Sequence, residues 1–217
     1  MKLFMDGSDI EKIRKFSELG LIDGVTTNPS IILKSGKNMI QVISELASLI
    51  SGSVSAEVSA LDSNKMVEEG VKLSQIAKNV TVKLPITWDG LAACNSLSKK
   101  GISVNMTLCF SASQAILAAK AGAEYVSPFI GRLDDLNLEG IDLISDIKLI
   151  YSNYKFSTKI LAASIRTINH VKQCALLGAD VATIPIDVFE KLVKHPLTDS
   201  GLSQFTTDWQ KTGQSII

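Results

Sequence analysis

Val80-Thr-Val-Lys-Leu84 alternates strictly: in an extended chain Val80, Val82 and Leu84 share one face, and Thr81 and Lys83 share the other. Val54-Ser-Ala-Glu-Val58 repeats the pattern, with Val54, Ala56 and Val58 opposed to Ser55 and Glu57. Ile102-Ser-Val-Asn-Met106 does so again, setting Ile102, Val104 and Met106 against Ser103, Asn105 and the following Thr107. A helix layer demands the apolar face of such a strand, so the polar face must line a closed interior. A lysine, a glutamate and an asparagine then point into the middle of the molecule.

Working outward, β-rich runs recur at Lys2–Asp6, Gly24–Thr27, Val54–Val58, Val80–Leu84, Ile102–Met106, Tyr125–Phe129, Lys159–Ala163 and Val181–Ile184. Between them lie stripes of helical period, such as Ile10, Ile13, Phe16 and Leu19, or Val42, Leu46 and Leu49. Met66, Val67, Val71 and Ile76 form a third. Ser8 with Glu11, and Ser111 with Gln114, have the spacing of a capping box at a helix start. Gly20, Gly52, Gly101, Gly122 and Gly178 stand where helices should stop. Eight β-to-α units without a Gly-rich dinucleotide fingerprint predict an α/β fold, a (β/α)8 TIM barrel in one domain spanning 1–217. Leu202, Phe205 and Trp209 add an apolar stripe on a C-terminal helix over 199–214, which either packs on its own barrel or meets another subunit.

Composition agrees. Of 217 residues 46% are hydrophobic and 20% charged, enough for a sizeable core and too apolar for disorder. Twenty-two Lys and Arg balance 22 Asp and Glu, so no net charge draws the chain to nucleic acid or to an anionic membrane. The apolar runs are too short to span a bilayer, and the opening Met1-Lys-Leu-Phe-Met-Asp6 meets an acid too soon for a signal peptide. Cys94, Cys109 and Cys174 read as free thiols of a reducing, cytoplasmic setting. With only His170 and His195, of which His195 reads as sitting near a helix end, neither a His-based metal site nor a Ser-His-Asp triad is expected.

Active sites of this fold gather at the C-terminal ends of the strands. The polar residues there are Asp6, Thr26, Asn28, Glu57, Lys83, Asn105, Thr107, Ser127, Arg132, Ser164 and Arg166. Singly, each admits a plainer role: Asp6 as a helix cap, Glu57 and Lys83 as a structural ion pair, Thr107 and Ser164 as strand-end hydrogen bonders. Arg132 could pair on the surface with its own neighbours Asp134 and Asp135. Together they crowd one barrel mouth with polar groups that are expensive to bury unless paired or used. Lys83 is then either a permanent ammonium or, once uncharged, a nucleophile that forms a Schiff base with a carbonyl substrate. Without a metal-ligand cluster to polarise a carbonyl, covalent activation is favoured over a metal-dependent aldol reaction. The two arginines suit a phosphate, since guanidinium binds oxyanions bidentately.

Gly24-Val-Thr-Thr-Asn-Pro-Ser-Ile-Ile32, Val82-Lys-Leu-Pro85, Val104-Asn-Met-Thr-Leu-Cys-Phe-Ser111, Tyr125-Val-Ser-Pro-Phe-Ile-Gly-Arg132 and Leu161-Ala-Ala-Ser-Ile-Arg166 resemble the transaldolases. The likeness runs from Phe4-Met-Asp6 to Phe205-Thr-Thr-Asp-Trp209 and is strongest to the small bacterial type related to the fructose-6-phosphate aldolases. It implies a cytoplasmic transferase of the pentose phosphate pathway that needs no cofactor or metal. Such an enzyme carries a dihydroxyacetone unit from sedoheptulose 7-phosphate to glyceraldehyde 3-phosphate, and works as a homo-oligomer, a pentamer or decamer. On this resemblance Lys83 is the Schiff-base lysine, Asp6 the general acid/base, and Glu57 and Thr107 hold the water of proton transfer. Thr26, Asn28, Asn105 and Ser127 surround the donor hydroxyls and the three-carbon fragment, and Arg132, Ser164 and Arg166 bind phosphate. Glu57, Phe129 and Arg166 are the transaldolase-like choices where fructose-6-phosphate aldolases resemble one another in using Gln, Tyr and Lys. Gly7 departs from the Thr of many relatives.

Overall fold

The computed structural model describes residues 1–217, in which eight parallel strands close into a barrel in sequence order. The strands are β1 Lys2–Asp6, β2 Gly24–Thr26, β3 Val54–Glu57, β4 Val80–Pro85, β5 Val104–Cys109, β6 Tyr125–Pro128, β7 Lys159–Ala162 and β8 Val181–Pro185. The helices that wrap them are α1 Ile10–Glu18, α2 Pro29–Ser35, α3 Met39–Leu49, α4 Ser63–Ser74, α5 Trp88–Lys99 and α6 Ala112–Lys120. They continue as α7 Ile130–Asp134, α8 Gly140–Tyr154, α9 Ile168–Leu176, α10 Ile186–Phe189 and α11 Pro196–Thr212. No helix is long and apolar enough to cross a membrane.

The alternation read from β3, β4 and β5 holds: Val54, Ala56, Val80, Val82, Val104 and Met106 join the main core, which also takes in Ile43, Leu97 and Ile144 of the helices. The interior itself is divided. On one arc hydroxyls line up, Ser53 with Thr81 at 2.7 Å and Thr81 with Ser103 at 3.3 Å. On the other, Phe4, Tyr125, Leu161 and Val181 form a separate apolar cluster, with the Phe4 and Tyr125 rings edge to face at 6.2 Å. Gly24 makes room for that plug, since a Cβ there would stand 2.6 Å from both the Phe4 ring and the Ser53 carbonyl oxygen. The interior is therefore sealed from below and open at the strands' C-terminal ends.

Several boundaries differ from the expected ones. The fifth strand starts at Val104 rather than Ile102, because the Ile102 N–H turns back to the Leu97 carbonyl. It then runs on to Cys109 across an irregular register, with Leu108 at φ 59. Asp9, not Ser8, caps α1, its carboxylate accepting from the Lys12 N–H. Ser111 does cap α6, and Gln114 returns a bond to the Phe110 N–H. Gly20, Gly101, Gly122 and Gly178 end helices at positive φ, whereas Gly52 serves close packing: any Cβ there would fall on the Asp23 carbonyl. His195 begins a helix rather than ending one, its Nδ1 accepting from the Leu197 N–H ahead of Pro196. The last helix spans Pro196–Thr212, a turn earlier than 199–214, between Pro196 in its first turn and Gly213 at φ 67. None of its residues is buried, so it does not pack on its own barrel.

Candidate active site

Strand register places the reactive groups. Glu57 pairs with Lys83 across β3 and β4, Lys83 with Asn105 across β4 and β5, and Asp6 with Thr26 across β1 and β2. Residues in register on adjacent strands point the same way, so these side chains converge on the axis. Lys83 is only 5% exposed. Its Nζ lies 3.0 Å from Glu57 Oε2 and donates to the Thr27 carbonyl at 3.0 Å. Burial of an amine this deep is tolerable because both contacts are acceptors and one carries the opposite charge.

Asp6, on β1, stands three strands from Lys83 around the barrel and within reach of its charge. Burial pushes its carboxyl above the ordinary carboxylate range. The Thr26 hydroxyl, donating to Oδ1 at 2.7 Å, and the positive charge of Lys83 pull the other way, while Glu57 adds a further upward push. The carboxyl thus sits where a proton can be taken up or released, within reach of a cation that favours the anion. Asp6 accepts from a neighbouring strand and caps no helix, because Asp9 fills that role.

An amide bridge spans the polar arc. Ser127 donates to Asn105 Oδ1 at 2.7 Å, and Asn105 Nδ2 reaches Ser55 at 3.3 Å. Thr107 Oγ1 is buried without any partner in the protein. An orphaned buried hydroxyl costs about 1–3 kcal/mol, and in a reactive interior that marks a position able to bond a water or a substrate oxygen. Asn28 turns its Oδ1 to the Ile31 N–H and caps α2, leaving its amide nitrogen for the mouth.

The mouth opens into a cavity of about 360 Å³ that Lys83 and Asp6 both line, a volume within the range of small-molecule sites. Every site residue expected from sequence lines it except Glu57, Asn105 and Thr107. Glu57 reaches it through Lys83, and Asn105 through Ser127. At the rim the loops after β6 and β7 interlock. Phe129 bridges Ala163, and the Ile130 and Gly131 N–H groups donate to the Ala163 and Ser164 carbonyls. Ser164 holds φ 59, an uncommon state for a side-chain-bearing residue and one that recurs at functional sites. Arg132 does not pair with its acidic neighbours; its guanidinium stands 5.0 Å over the Phe129 ring, which meets Phe110 edge to face at 5.7 Å. Asp135 instead binds Arg166 at 2.8 Å, and Asp134 binds His170 at 3.3 Å. Two guanidinium groups, one of them already holding a carboxylate, give the rim an oxyanion-binding character.

Lys34, Ser30 and Thr183 also line the cavity, and sequence reasoning missed all three. Lys34 and Ser30 lie on α2, outside any strand end, and Thr183 is one of many strand threonines. A larger groove of about 1240 Å³ lies outside the barrel between α1, α2 and α3. It shares Ile31 and Lys34 with the mouth but contains none of the strand-end groups, so the chemistry belongs to the smaller cavity. Nowhere do three or more His, Cys, Asp or Glu side chains gather as a metal-binding group. Cys94, Cys109 and Cys174 are all free and buried. Burial pushes the Cys94 thiol up to about 11, and those of Cys109 and Cys174 to about 12.

Comparison with known proteins agrees with this geometry. Residues 3–216 match the family described as transaldolase/fructose-6-phosphate aldolase. A probable transaldolase of Roseobacter denitrificans is 61% identical over 217 residues, covering the full length of both chains. Probable transaldolases of Parvibaculum lavamentivorans, at 59%, and Dinoroseobacter shibae, at 58%, also align over the full length of both chains. The chain belongs to the transaldolase/fructose-6-phosphate aldolase family.

Proposed function

We propose that this protein is a transaldolase that moves a dihydroxyacetone unit from sedoheptulose 7-phosphate to glyceraldehyde 3-phosphate through a Schiff base on Lys83. That places it in the pentose phosphate pathway, in the cytoplasm. The observation that carries the reading is Lys83 itself, a buried amine that lines the cavity while its Nζ touches Glu57 and the Thr27 carbonyl. Glu57 takes a proton from the ammonium at 3.0 Å and frees the lone pair. The amine attacks the ketose C2 carbonyl, and loss of water, with Glu57 and Thr107 handling the protons, leaves a protonated imine. Asp6 removes the C4 hydroxyl proton, the C3–C4 bond breaks, and its electrons flow into the imine to give an enamine. The aldose leaves and an acceptor aldehyde enters. The enamine carbon attacks it, Asp6 returns the proton to the new hydroxyl, and water hydrolyses the imine.

Thr26, Asn28, Asn105 and Ser127 hold the hydroxyls of the donor, and Arg132, Ser164 and Arg166 hold its phosphate. Release of free dihydroxyacetone, as in a fructose-6-phosphate aldolase, is the competing outcome. Phe129 weighs against it, because its apolar ring packs on Phe110 and Arg132 and supplies no proton near the imine. The same reading makes the protein a homo-oligomer, a pentamer or decamer. Its support is α11, whose Phe205 and Trp209 are 72% and 44% exposed on a helix that contributes nothing to its own barrel.

Borohydride trapping tests the chemistry. With fructose 6-phosphate and no acceptor, reduction should fix a dihydroxyacetone-derived adduct on Lys83, read by intact mass and peptide mapping. Lys83→Ala should lose adduct and turnover together. A label that persists in this variant on another lysine refutes the assignment.

A further inference from the structure

The hydroxyls of Thr26 and Thr183 meet at 2.6 Å, both buried, on the two strands that flank β1. Thr183 pairs in register with Phe4, one pleat below Asp6, so the contact passes under the carboxylate. A hydroxyl has one proton to give. Thr26 gives its proton to Asp6 Oδ1 at 2.7 Å, so in the short contact between the threonines Thr183 must be the donor. The order runs Thr183 to Thr26 to Asp6, three groups on three adjacent strands, and Thr183 also borders the cavity.

We propose that Thr183 is a positioning residue for the reaction, which fixes the direction of the Thr26 hydroxyl and so keeps Asp6 an acceptor ready for the substrate's C4 hydroxyl proton. The inference rests on Asp6 being the general acid/base. Without Thr183 the Thr26 proton has a free choice of direction, and its bond to the carboxylate loses the cooperative polarisation that a donor behind it supplies. When Asp6 takes the substrate's proton on its free oxygen, Oδ1 remains an acceptor, so the order Thr183 to Thr26 to Asp6 is kept in both states. The bare carboxylate and the loaded acid are each satisfied without any side chain moving. The charges facing Asp6 are Lys83 from β4 and Glu57 from β3, with Lys34 of α2, Arg132 and Arg166 also lining the cavity. From β2 and β8 it meets only the two neutral hydroxyls. Thr183 is thus the lever on Asp6 that changes no charge.

Thr183→Val keeps the volume and removes the hydroxyl. Thr183→Ala removes it without placing a methyl against Thr26, and Thr183→Ser restores it. The measurements are turnover against pH, single-turnover C3–C4 cleavage, and borohydride trapping at Lys83. Both hydroxyl-free variants should still trap at Lys83, which also marks them as folded. Both should cleave roughly fivefold more slowly, the loss of about one neutral hydrogen bond. The acid limb of their pH profile should move to higher pH, because the carboxylate is less well stabilised. Thr183→Ser should restore rate and limb. In an Asp6→Asn background Thr183→Val should cost nothing further, since a residue acting through Asp6 has nothing left to act on. A pH profile that superimposes on that of the unaltered protein, or an equal loss in the Asp6→Asn background, overturns the proposal. If Asp6→Asn itself cleaves at the full rate, the acid/base reading fails first, whatever Thr183 does.

Discussion

Asp6→Asn should make the protein more stable and nearly inactive at once. Burial lifts the Asp6 carboxyl above its ordinary range, and the Thr26 hydrogen bond at 2.7 Å and the attraction of Lys83 offset that push only in part. An acid whose value is higher in the folded chain than in the unfolded one binds its proton more tightly when native. Its contribution to stability is complete below the unfolded value and is lost as pH rises through the folded value. At neutral pH and above, the native chain therefore carries a poorly solvated charge that unfolding would return to water. An amide Oδ1 can accept the same Thr26 proton with no charge to desolvate, although Lys83 then loses one attraction. The net gain is on the order of 1 kcal/mol, as for other functional groups held against the interest of stability. For a domain of this size that is about 2–4 °C in Tm. Thermal and urea unfolding from acid to mildly alkaline pH, at fixed protein concentration, should show the variant ahead at neutral pH and the gap closing towards acid. Turnover should fall by about 10²–10⁴-fold, while borohydride still traps the imine at Lys83. A variant that is less stable at neutral pH, with the unaltered protein's pH slope, refutes the argument, because the cost of burial would then not be carried at Asp6.

Arg166→Ala should raise KM for phosphorylated donors by roughly 10–100-fold, the worth of a charge-assisted contact, and leave non-phosphorylated analogues nearly unchanged; equal losses would remove Arg166 from phosphate binding. Since Arg166 and Asp135 are both about half exposed, the variant's Tm should stay close to that of the unaltered protein. Phe129→Tyr should raise dihydroxyacetone release relative to transfer, with Lys83 trapping intact, when both activities are assayed on one preparation; an unchanged ratio would mean that the ring only packs. Paired substitution Phe205→Lys and Trp209→Lys should lower the mass measured by light scattering from that of an assembly towards a single chain, without loss of the barrel's far-ultraviolet spectrum; an unchanged mass would show that α11 holds no neighbour.

The barrel was legible because three strands state it in their own alternation. Val80, Val82 and Leu84 against Thr81 and Lys83, in a chain whose strands alternate with helical stripes, fits a strand with a polar interior and a helical exterior, and Glu57 and Asn105 then follow by register. Strand and helix ends were less legible because neighbouring residues compete for the same local role. Ser8 and Asp9 are both good caps, and the choice of Asp9 depends on how the chain leaves β1. Ile102 continues the apolar alternation of β5, yet its N–H is claimed by the turn from α5. The rim pairs were not legible at all. Asp134 and Asp135 lie next to Arg132 in sequence, but helical geometry swings them towards His170 and Arg166, which a different loop supplies. Local spacing carries no information about such a contact.

The divided interior has a consequence for the chemistry. Phe4, Tyr125, Leu161 and Val181 fill one arc and carry no charge, so the polar groups are confined to the other arc and to the mouth. There Lys83 is the single cation at the centre, between Glu57 and Asp6. On the proposed pathway its nitrogen is positive as an ammonium, neutral while it attacks, and positive again as the protonated imine. The buried carboxylates therefore meet the same charge in almost the same place before and after the covalent bond forms. Dielectric screening is weak at such depth, so losing that charge would be costly and moving it by a bond length is not. Cleavage then spends the positive charge by sending an electron pair into the imine, and in the same step Asp6 acquires a proton and becomes neutral. The cation and one anion disappear together, so the three groups keep a net charge of one negative at every stage, and Glu57 carries it while the enamine waits. A lysine with two carboxylates, one at hydrogen-bond distance and one acting through space, supplies these exchanges, and β1, β3 and β4 carry it.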